Sequence, residues 1–328
     1  MKKEIMNYIK IARPDHCIKQ FFIFPGVLFA IFITKGEITN YSIFNIVLAF
    51  LATSFIASAN YVINEWLDAK TDQYHPTKKK RPLVNNNLKV AIIIIEYVIL
   101  AILGLLISFR INRCVLVLEG ILLLMGVLYN VKPFRSKDIV YIDVLTESIN
   151  NALRFLIGWF TITNVFLPPI SIVLGYWMGG AFLMASKRYA EYRMIDNKEL
   201  AGLYRKSFKY YTEKSLLISS FFYALVSVFF CGIFMIKYKI ELLISIPLLC
   251  GLFCFYINLS YKEDSSVQKP EKLYREKGLI IYITIFTIIS TILLFVDIPI
   301  MNLFLETTIL QLWGIKKWKK LMSTRHLF

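Results

Sequence analysis

Nine apolar runs of about twenty residues each organise this sequence, and the fold must give all of them an apolar surrounding. They lie at roughly 18–35, 43–66, 88–108, 114–130, 141–161, 166–186, 215–236, 240–258 and 279–297. Runs such as VAIIIIEYVILAILGLLI are apolar around the whole helical circumference, as a lipid-embedded helix should be. The composition agrees, with 57% hydrophobic and 18% charged residues, where soluble domains carry roughly 45–50% and about 25%. No ten-residue alternation of the membrane β-barrel kind is present. The expected architecture is therefore an all-α integral membrane protein of about nine transmembrane helices.

The basic residues set the orientation. Taking the N-terminus as cytoplasmic, 27 Lys and Arg fall in the connections on that side and five in those opposite, a positive-inside pattern. The net charge of +16 is thus mostly topology. It gives no soluble basic patch for nucleic acid, so no nucleic-acid partner is expected. The first span lacks a short apolar core followed by a small-residue cleavage site and is read as retained. The expected location is the bacterial inner (plasma) membrane, multi-pass, with the site facing the cytoplasm. The tail IKKWKKLMSTRHLF resists the pattern, since nine spans place it outside. Either it folds back as an interfacial helix or the span count is off by one. The domain reading is a transmembrane unit over 1–298 and a basic tail over 299–328. Homo-oligomerisation is left open. The five cysteines are scattered and suggest neither disulfides nor zinc.

Charge is concentrated where it is least expected. Asn64–Pro82 reads NEWLDAKTDQYHPTKKKRP and begins inside the second apolar run. Asn64, Asp68 and Asp72 stand at i, i+4 and i+8, on one helix face, and Asn60 continues that face into the membrane. Such a stripe of oxygen donors suits Mg²⁺, which takes one or two carboxylates together with substrate phosphates. Glu65 points about 100° away on the same helix. Pro76 and Pro82 break the helix, and Lys78 and Arg81 between them suit phosphate oxygens. The bland alternative is a solvated helix end.

A second stripe, Asp143, Glu147, Asn151 and Arg154, runs along the fifth span, with Lys132 in the loop before it. Charged groups in an apolar helix face a polar cavity, unless Arg154 and Glu147 form a structural ion pair. A third group, Lys187 and Arg188, sits at the edge of the sixth span, followed by Glu191, Arg205, Lys206 and Lys209. These suit a second phosphate. Phosphate-loop, zinc-protease and Ser-His-Asp motifs are absent.

NEWLDAKTD followed by HPTKKKRP resembles the first Asp-rich motif of the UbiA prenyltransferase superfamily, N-D-x-x-D-x-x-x-D, with Glu65 where Asp is usual. RPDHCIKQFFIFPGVLFA resembles the opening of its decaprenyl-phosphate phosphoribosyltransferase branch through Arg13, Pro14, His16 and Lys19, with Cys17 replacing Trp. KRYAE at 187–191 and RKSFKYYT at 205–212 resemble that branch's third conserved region. The second motif departs, with TESINN in place of a small and apolar run. The resemblance implies a UbiA-like bundle with a cytoplasmic-facing polar cavity. It implies Mg²⁺-dependent transfer of 5-phosphoribose from phosphoribosyl pyrophosphate to a polyprenyl phosphate, releasing pyrophosphate. Asn64, Asp68 and Asp72 would then hold the metal. Asp68, Asp72, Asp143 and Glu147 would be catalytic. Lys19, Asn60, Asn64, Lys78, Arg81, Lys132, Asn151, Arg154, Lys187 and Arg188 would bind substrate. The alternative within the family is prenyl transfer from a polyprenyl diphosphate to an aromatic or other small acceptor. Outside the enzymes, a transporter or lipid-binding protein would spread polar residues through the midplane, and here they collect at one end.

Overall fold

The structure is a computed structural model and describes residues 2–35, 39–86, 88–195, 197–262, 265–268 and 270–305. Its helices in chain order are α1 (Lys2–Ile11), α2 (Phe24–Thr34), α3 (Asn40–Asp72), α4 (Pro82–Asn85), α5 (Val90–Ile111), α6 (Arg113–Asn130), α7 (Ile142–Ile162), α8 (Ile170–Ile195), α9 (Lys198–Tyr204), α10 (Glu213–Tyr238), α11 (Ile246–Ser260) and α12 (Lys277–Phe295). Short 3₁₀ turns join several of them, and the described residues contain no strand. In a bilayer each backbone polar group must be satisfied within its own helix, so helices are the form these apolar runs can take.

Eight stretches are long and apolar enough to cross a membrane: Ile5–Thr34, Tyr41–Asp72, α5, α6, α8, α10, Ile240–Ser260 and α12. The ninth expected span is α7. It has 21 residues but carries Asp143, Glu147 and Arg154. It is also the central helix, packed by α2, α3, α6 and α8. Its charged side chains are shielded from lipid by those neighbours, which is why a charged sequence is tolerated at that depth.

Local chemistry sets the helix ends. The Thr39 and Thr212 hydroxyls cap α3 and α10 in reciprocal pairs with Ser42 and Ser215. The Asn112 side chain accepts from Val115 N at 2.9 Å at the start of α6. Two helices run past the apolar windows that announce them. α3 continues unbroken to Asp72, and α8 continues to Ile195. Both project a turn or two of charged helix beyond their apolar windows, and these extensions carry much of the site.

α2 and α7 touch backbone to backbone. A Cβ at Gly26 would lie 1.9 Å from the Phe155 carbonyl oxygen, and one at Gly158 would lie 2.1 Å from that of Ile23. Small residues at such a crossing let membrane helices approach. Of the tail reading, Pro299–Leu305 forms a 3₁₀ turn, and residues 306–328 lie outside the described residues.

Candidate active site

A cavity of about 1630 Å³ opens inside the bundle. Its wall changes character along its length. One end is polar and is built from the ends of α3, α7 and α8, from α9 and from the loop after α3. The other is an apolar arm lined by Leu28, Phe29, Phe234, Leu252, Phe286 and Leu294, among others. The wall holds ten Lys and Arg against six Asp and Glu. This is a strongly cationic pocket heading a greasy one.

The α3 stripe supplies the acids. Asn60 donates from Nδ2 to the Leu122 carbonyl at 2.9 Å, tying α3 to α6. Asn64 Nδ2 donates to Asn130 Oδ1 at 2.5 Å and to Asp68 Oδ2 at 3.2 Å. Asp68 Oδ1 accepts from Arg135 Nη2 at 3.1 Å and from Lys137 Nζ. Asp72 is buried and its Oδ2 accepts from Arg81 Nη1. The Asn64 amide nitrogen is thus engaged, which leaves its oxygen as the donor for a cation.

These residues fit a magnesium ion that arrives with a phosphate ligand. The donors are hard oxygens, two of them carboxylates, which is what Mg²⁺ takes from a protein when phosphates and water complete its shell. No group of three or more His, Cys, Asp and Glu that would hold an ion unaided occurs among the described residues.

The cations are held just as closely. Lys78 Nζ donates to Glu191 Oε1 at 2.7 Å and to the Tyr204 hydroxyl. Burial lowers its ammonium pKa, and Glu191 opposes that. Arg81 is buried too, but Asp72 outweighs the burial and raises its pKa. His75 organises this loop. Its Nδ1 accepts from the backbone N–H of Thr77 and of Lys78, each at 3.2 Å. A ring nitrogen that accepts carries no proton, so His75 is neutral with its proton on Nε2. Its ring sits edge-on to Tyr204, 4.6 Å between centroids. Burial first, and Lys78 next, bring its pKa to about 3.

Across the cavity Arg188 is almost wholly buried. Its guanidinium reaches Glu191 Oε2 at 2.9 Å, the Tyr129 hydroxyl at 2.9 Å and Glu147 Oε2. Tyr129 in turn donates to Glu147 Oε2 at 2.7 Å, and Lys187 lies 3.5 Å from Glu147 Oε1. Arg205 spans the Tyr129 hydroxyl at 2.9 Å and Asp143 Oδ2 at 3.0 Å. Burial works against the Arg205 charge, yet Tyr129 and Asp143 hold its pKa well above the usual value.

The structure brings most of the sequence-read residues to this cavity: Lys19, Asn60, Asn64, Asp68, Asp72, Lys78, Arg81, Glu147, Asn151, Arg154, Lys187 and Arg188 all line it. Two do not. Asp143 has no exposed surface and lies behind the wall, where it accepts from Tyr211, Arg205 and Ser207. It starts α7 on the side facing Ser207 and Tyr211, so it braces the arginines. Lys132 is exposed on the loop after α6. Lys137, five residues on, is the lysine turned inward. It is 4% exposed and donates to Asp68 and, at 2.8 Å, to Asn130 Oδ1. Burial brings its pKa down to about 8 against the pull of Asp68. The sequence reading also offered Arg154 with Glu147 as an ion pair. Glu147 instead pairs with Arg188 and Lys187, and Arg154 bonds to neutral groups.

Sequence reasoning missed Lys137, Arg135, Tyr129 and Tyr204. It also placed Glu65 with the metal-motif residues without its partner. Glu65 Oε2 accepts from Arg13 Nη2 at 2.8 Å, and Oε1 accepts from Leu83 N at 3.5 Å. The extra methylene over Asp serves an N-terminal arginine in the cavity wall and the start of α4. The 100° offset of Glu65 from the stripe was a usable signal for such a separate role.

Known proteins share this architecture. The description "UbiA prenyltransferase family" belongs to the family model that matches residues 23–275, well over half of the chain. Among curated proteins the chain is 24% identical over 219 residues to the decaprenyl-phosphate phosphoribosyltransferase of Mycolicibacterium smegmatis, covering 66% of this chain and 65% of that one. It is 28% identical over 220 residues to the protein of that name from Corynebacterium glutamicum, covering 62% and 59%. The chain thus matches just under two thirds of the length of these relatives. Among solved structures it resembles a UbiA homolog from Archaeoglobus fulgidus bound to GPP and Mg²⁺, with a TM-score of 0.66 at 19% identity, over 88% of this chain and all of that one. A digeranylgeranylglyceryl phosphate synthase gives a TM-score of 0.57 at 20% identity, over 89% and 97%. With the helical architecture and the sequence motif in agreement, the chain belongs to the UbiA prenyltransferase family.

Proposed function

We propose that this protein transfers 5-phosphoribose from phosphoribosyl pyrophosphate to a polyprenyl phosphate at the cytoplasmic face of the membrane, in a magnesium-dependent reaction that releases pyrophosphate. The observation that carries this reading is the cationic surplus of the cavity wall, ten basic against six acidic side chains at the head of an apolar arm. One diphosphate with a metal needs less. A donor with a 5-phosphate and a diphosphate, together with a lipid phosphate, accounts for it. The curated relatives bear the corresponding name.

Each step then falls to residues already placed. Asp68, Asp72 and Asn64 would hold Mg²⁺, which supplies charge neutralisation to the leaving diphosphate. Lys78 and Arg81 bind the same diphosphate from the loop after α3. Lys187, Arg188 and Arg205 face them and bind the 5-phosphate. A phosphate oxygen of the lipid attacks ribose C1, and the bond from C1 to the pyrophosphate oxygen breaks. The nucleophile is already an anion, so no proton has to be removed. Positive charge grows on C1 in the transition state, and Glu147 in the wall supplies a fixed negative group for it. Asp143 acts one layer back, by holding Arg205 and Arg188.

The test is a membrane assay with Mg²⁺, a polyprenyl phosphate and phosphoribosyl pyrophosphate labelled in the ribose. Label should enter the organic phase, and EDTA should abolish the transfer. Asp68→Asn and Asp72→Asn should each lower turnover at least a hundredfold while the protein still reaches the membrane. The family's name and the neighbour bound to GPP and Mg²⁺ support the second reading, prenyl transfer to a small acceptor. Folded protein that moves no ribose label but consumes a polyprenyl diphosphate in the presence of an acceptor would establish that reading instead.

A further inference from the structure

Arg154 stands apart from every other cation of the cavity. Its side chain is 7% exposed and it sits on α7, eleven residues beyond Asp143, which is about 16 Å along a helix. Its Nε donates to Gln20 Oε1 at 2.7 Å, and its Nη1 donates to the Asn150 carbonyl at 3.0 Å and to Asn151 Oδ1 at 3.5 Å. All these acceptors are neutral. Among the described residues, no carboxylate lies within ion-pair distance of it. Arg81, Arg188 and Arg205 each have one within 3 Å. An arginine stays charged in a protein, and a buried charge without a counter-ion is costly and marks function when it lies inside a membrane span.

Its position says which anion it serves. The acids and the paired cations gather at the helix ends, where a water-soluble donor enters. Arg154 lies deeper, where the wall turns apolar. Gln20 leads directly into Phe22, whose carbonyl accepts from the Tyr176 hydroxyl at 3.1 Å and whose ring meets Tyr176 edge-on. Beyond these the apolar arm begins. A lipid whose chain fills that arm places its head group at Arg154. Resting on the transfer reading above, we infer that Arg154 is the seat of the acceptor's phosphate, a lipid monophosphate, with Gln20 and Asn151 orienting the guanidinium toward it. An acceptor anion there supplies the missing counter-charge, so the empty protein stores a cation that the lipid neutralises.

The full chain in detergent decides this by direct binding, with geranylgeranyl phosphate as the lipid probe and phosphoribosyl pyrophosphate with Mg²⁺ as the soluble one. Arg154→Gln should weaken the lipid probe at least tenfold and leave the soluble one within twofold. Arg154→Lys, which keeps the charge, should recover part of the loss. Without ligand, Arg154→Gln should melt no lower than wild type, because it removes an unneutralised buried charge. The lipid probe should then raise the melting temperature of wild type alone. A variant that melts well below wild type and binds both probes normally would make Arg154 a structural cation and overturn the inference. So would loss of the soluble probe with the lipid probe retained, which would assign Arg154 to the donor. Wild type that binds geranylgeranyl diphosphate but neither probe would instead overturn the transfer reading itself.

Discussion

Two lysines five residues apart show what decides a role at the scale of a residue. Lys132 and Lys137 share one short loop, have the same charge and stand at similar distances from α7. One is exposed. The other is buried and binds Asp68 and Asn130. Removing one partner of a buried pair leaves an uncompensated charge and costs about 3–5 kcal/mol, whereas an exposed substitution shifts stability by about 0.5 kcal/mol or less. Lys137→Met should therefore lower the melting temperature and at least a hundredfold of the transfer rate, and Lys132→Met should leave both within error. Equal behaviour of the two variants in a paired melting and turnover measurement would remove Lys137 from the site. The sequence could not choose between them, because spacing along a loop does not encode which side chain turns inward. The α3 stripe was legible for the opposite reason. On a helix, spacing is geometry, so Asn60, Asn64, Asp68 and Asp72 share a face in the sequence as they do in the fold. Asp143 lies between these cases. Its face of α7 was readable, but Ser207 and Tyr211, which cover it, come from sixty residues away.

Elements position the site through two devices, a crossing and a loop. At the crossing, α2 and α7 meet at Gly26 and Gly158 with no room for a side chain on either. Gly26→Val should force the helices apart, costing about 3 kcal/mol or more, and should shift the protein toward aggregates in size-exclusion chromatography of the detergent extract. A monodisperse peak of normal yield would show that the crossing can open without harm. In the loop, His75 holds the backbone of Thr77 and Lys78 and so aims Lys78 and Arg81. It titrates at about 3 in the fold against 6.5 otherwise. Between those values the unfolded chain binds the extra proton, so stability rises with pH across that window. His75 thus contributes fully above about pH 6.5, and its contribution is lost as pH falls toward 3. The melting temperature should be flat from pH 7 to 8 and decline from 6.5 to 4.5. His75→Gln should flatten that decline, and an unchanged slope in the variant would clear His75 of this role. The extent of the elements was less legible than their existence. The apolar windows ended at 66 and 186, while α3 and α8 run on to Asp72 and Ile195. Hydropathy reports where a helix leaves the lipid and says nothing of where its hydrogen bonds stop.

At the scale of the whole molecule, one asymmetry organises everything. The basic connections, the acid stripes and the polar end of the cavity all lie at one end of the bundle, and the apolar arm leads away from it. A soluble, highly charged donor requires that end to face the compartment that makes it. A lipid acceptor requires the arm to meet the bilayer. The positive-inside rule independently assigns the basic end to the cytoplasm. Cysteine labelling in intact cells tests this, after replacement of the five native cysteines. Asn86, exposed at the basic end, should be protected as Asn86→Cys from a membrane-impermeant maleimide until the cells are permeabilised. Val165, 77% exposed at the far end of α7, should react as Val165→Cys from outside. Ile300→Cys adds the parity of the chain. α7 is too charged to qualify as a span by hydropathy, yet it has the length of one and lies at the centre of the bundle. If it crosses, nine passes separate the N-terminus from residue 300, and Ile300→Cys should label from outside together with Val165→Cys. Labelling of Val165→Cys with protection of Ile300→Cys would mean an even number of passes. It would also place the basic tail on the cytoplasmic side, in line with its charge. Labelling of Asn86→Cys in intact cells would invert the molecule and set the site facing away from any cytoplasmic donor.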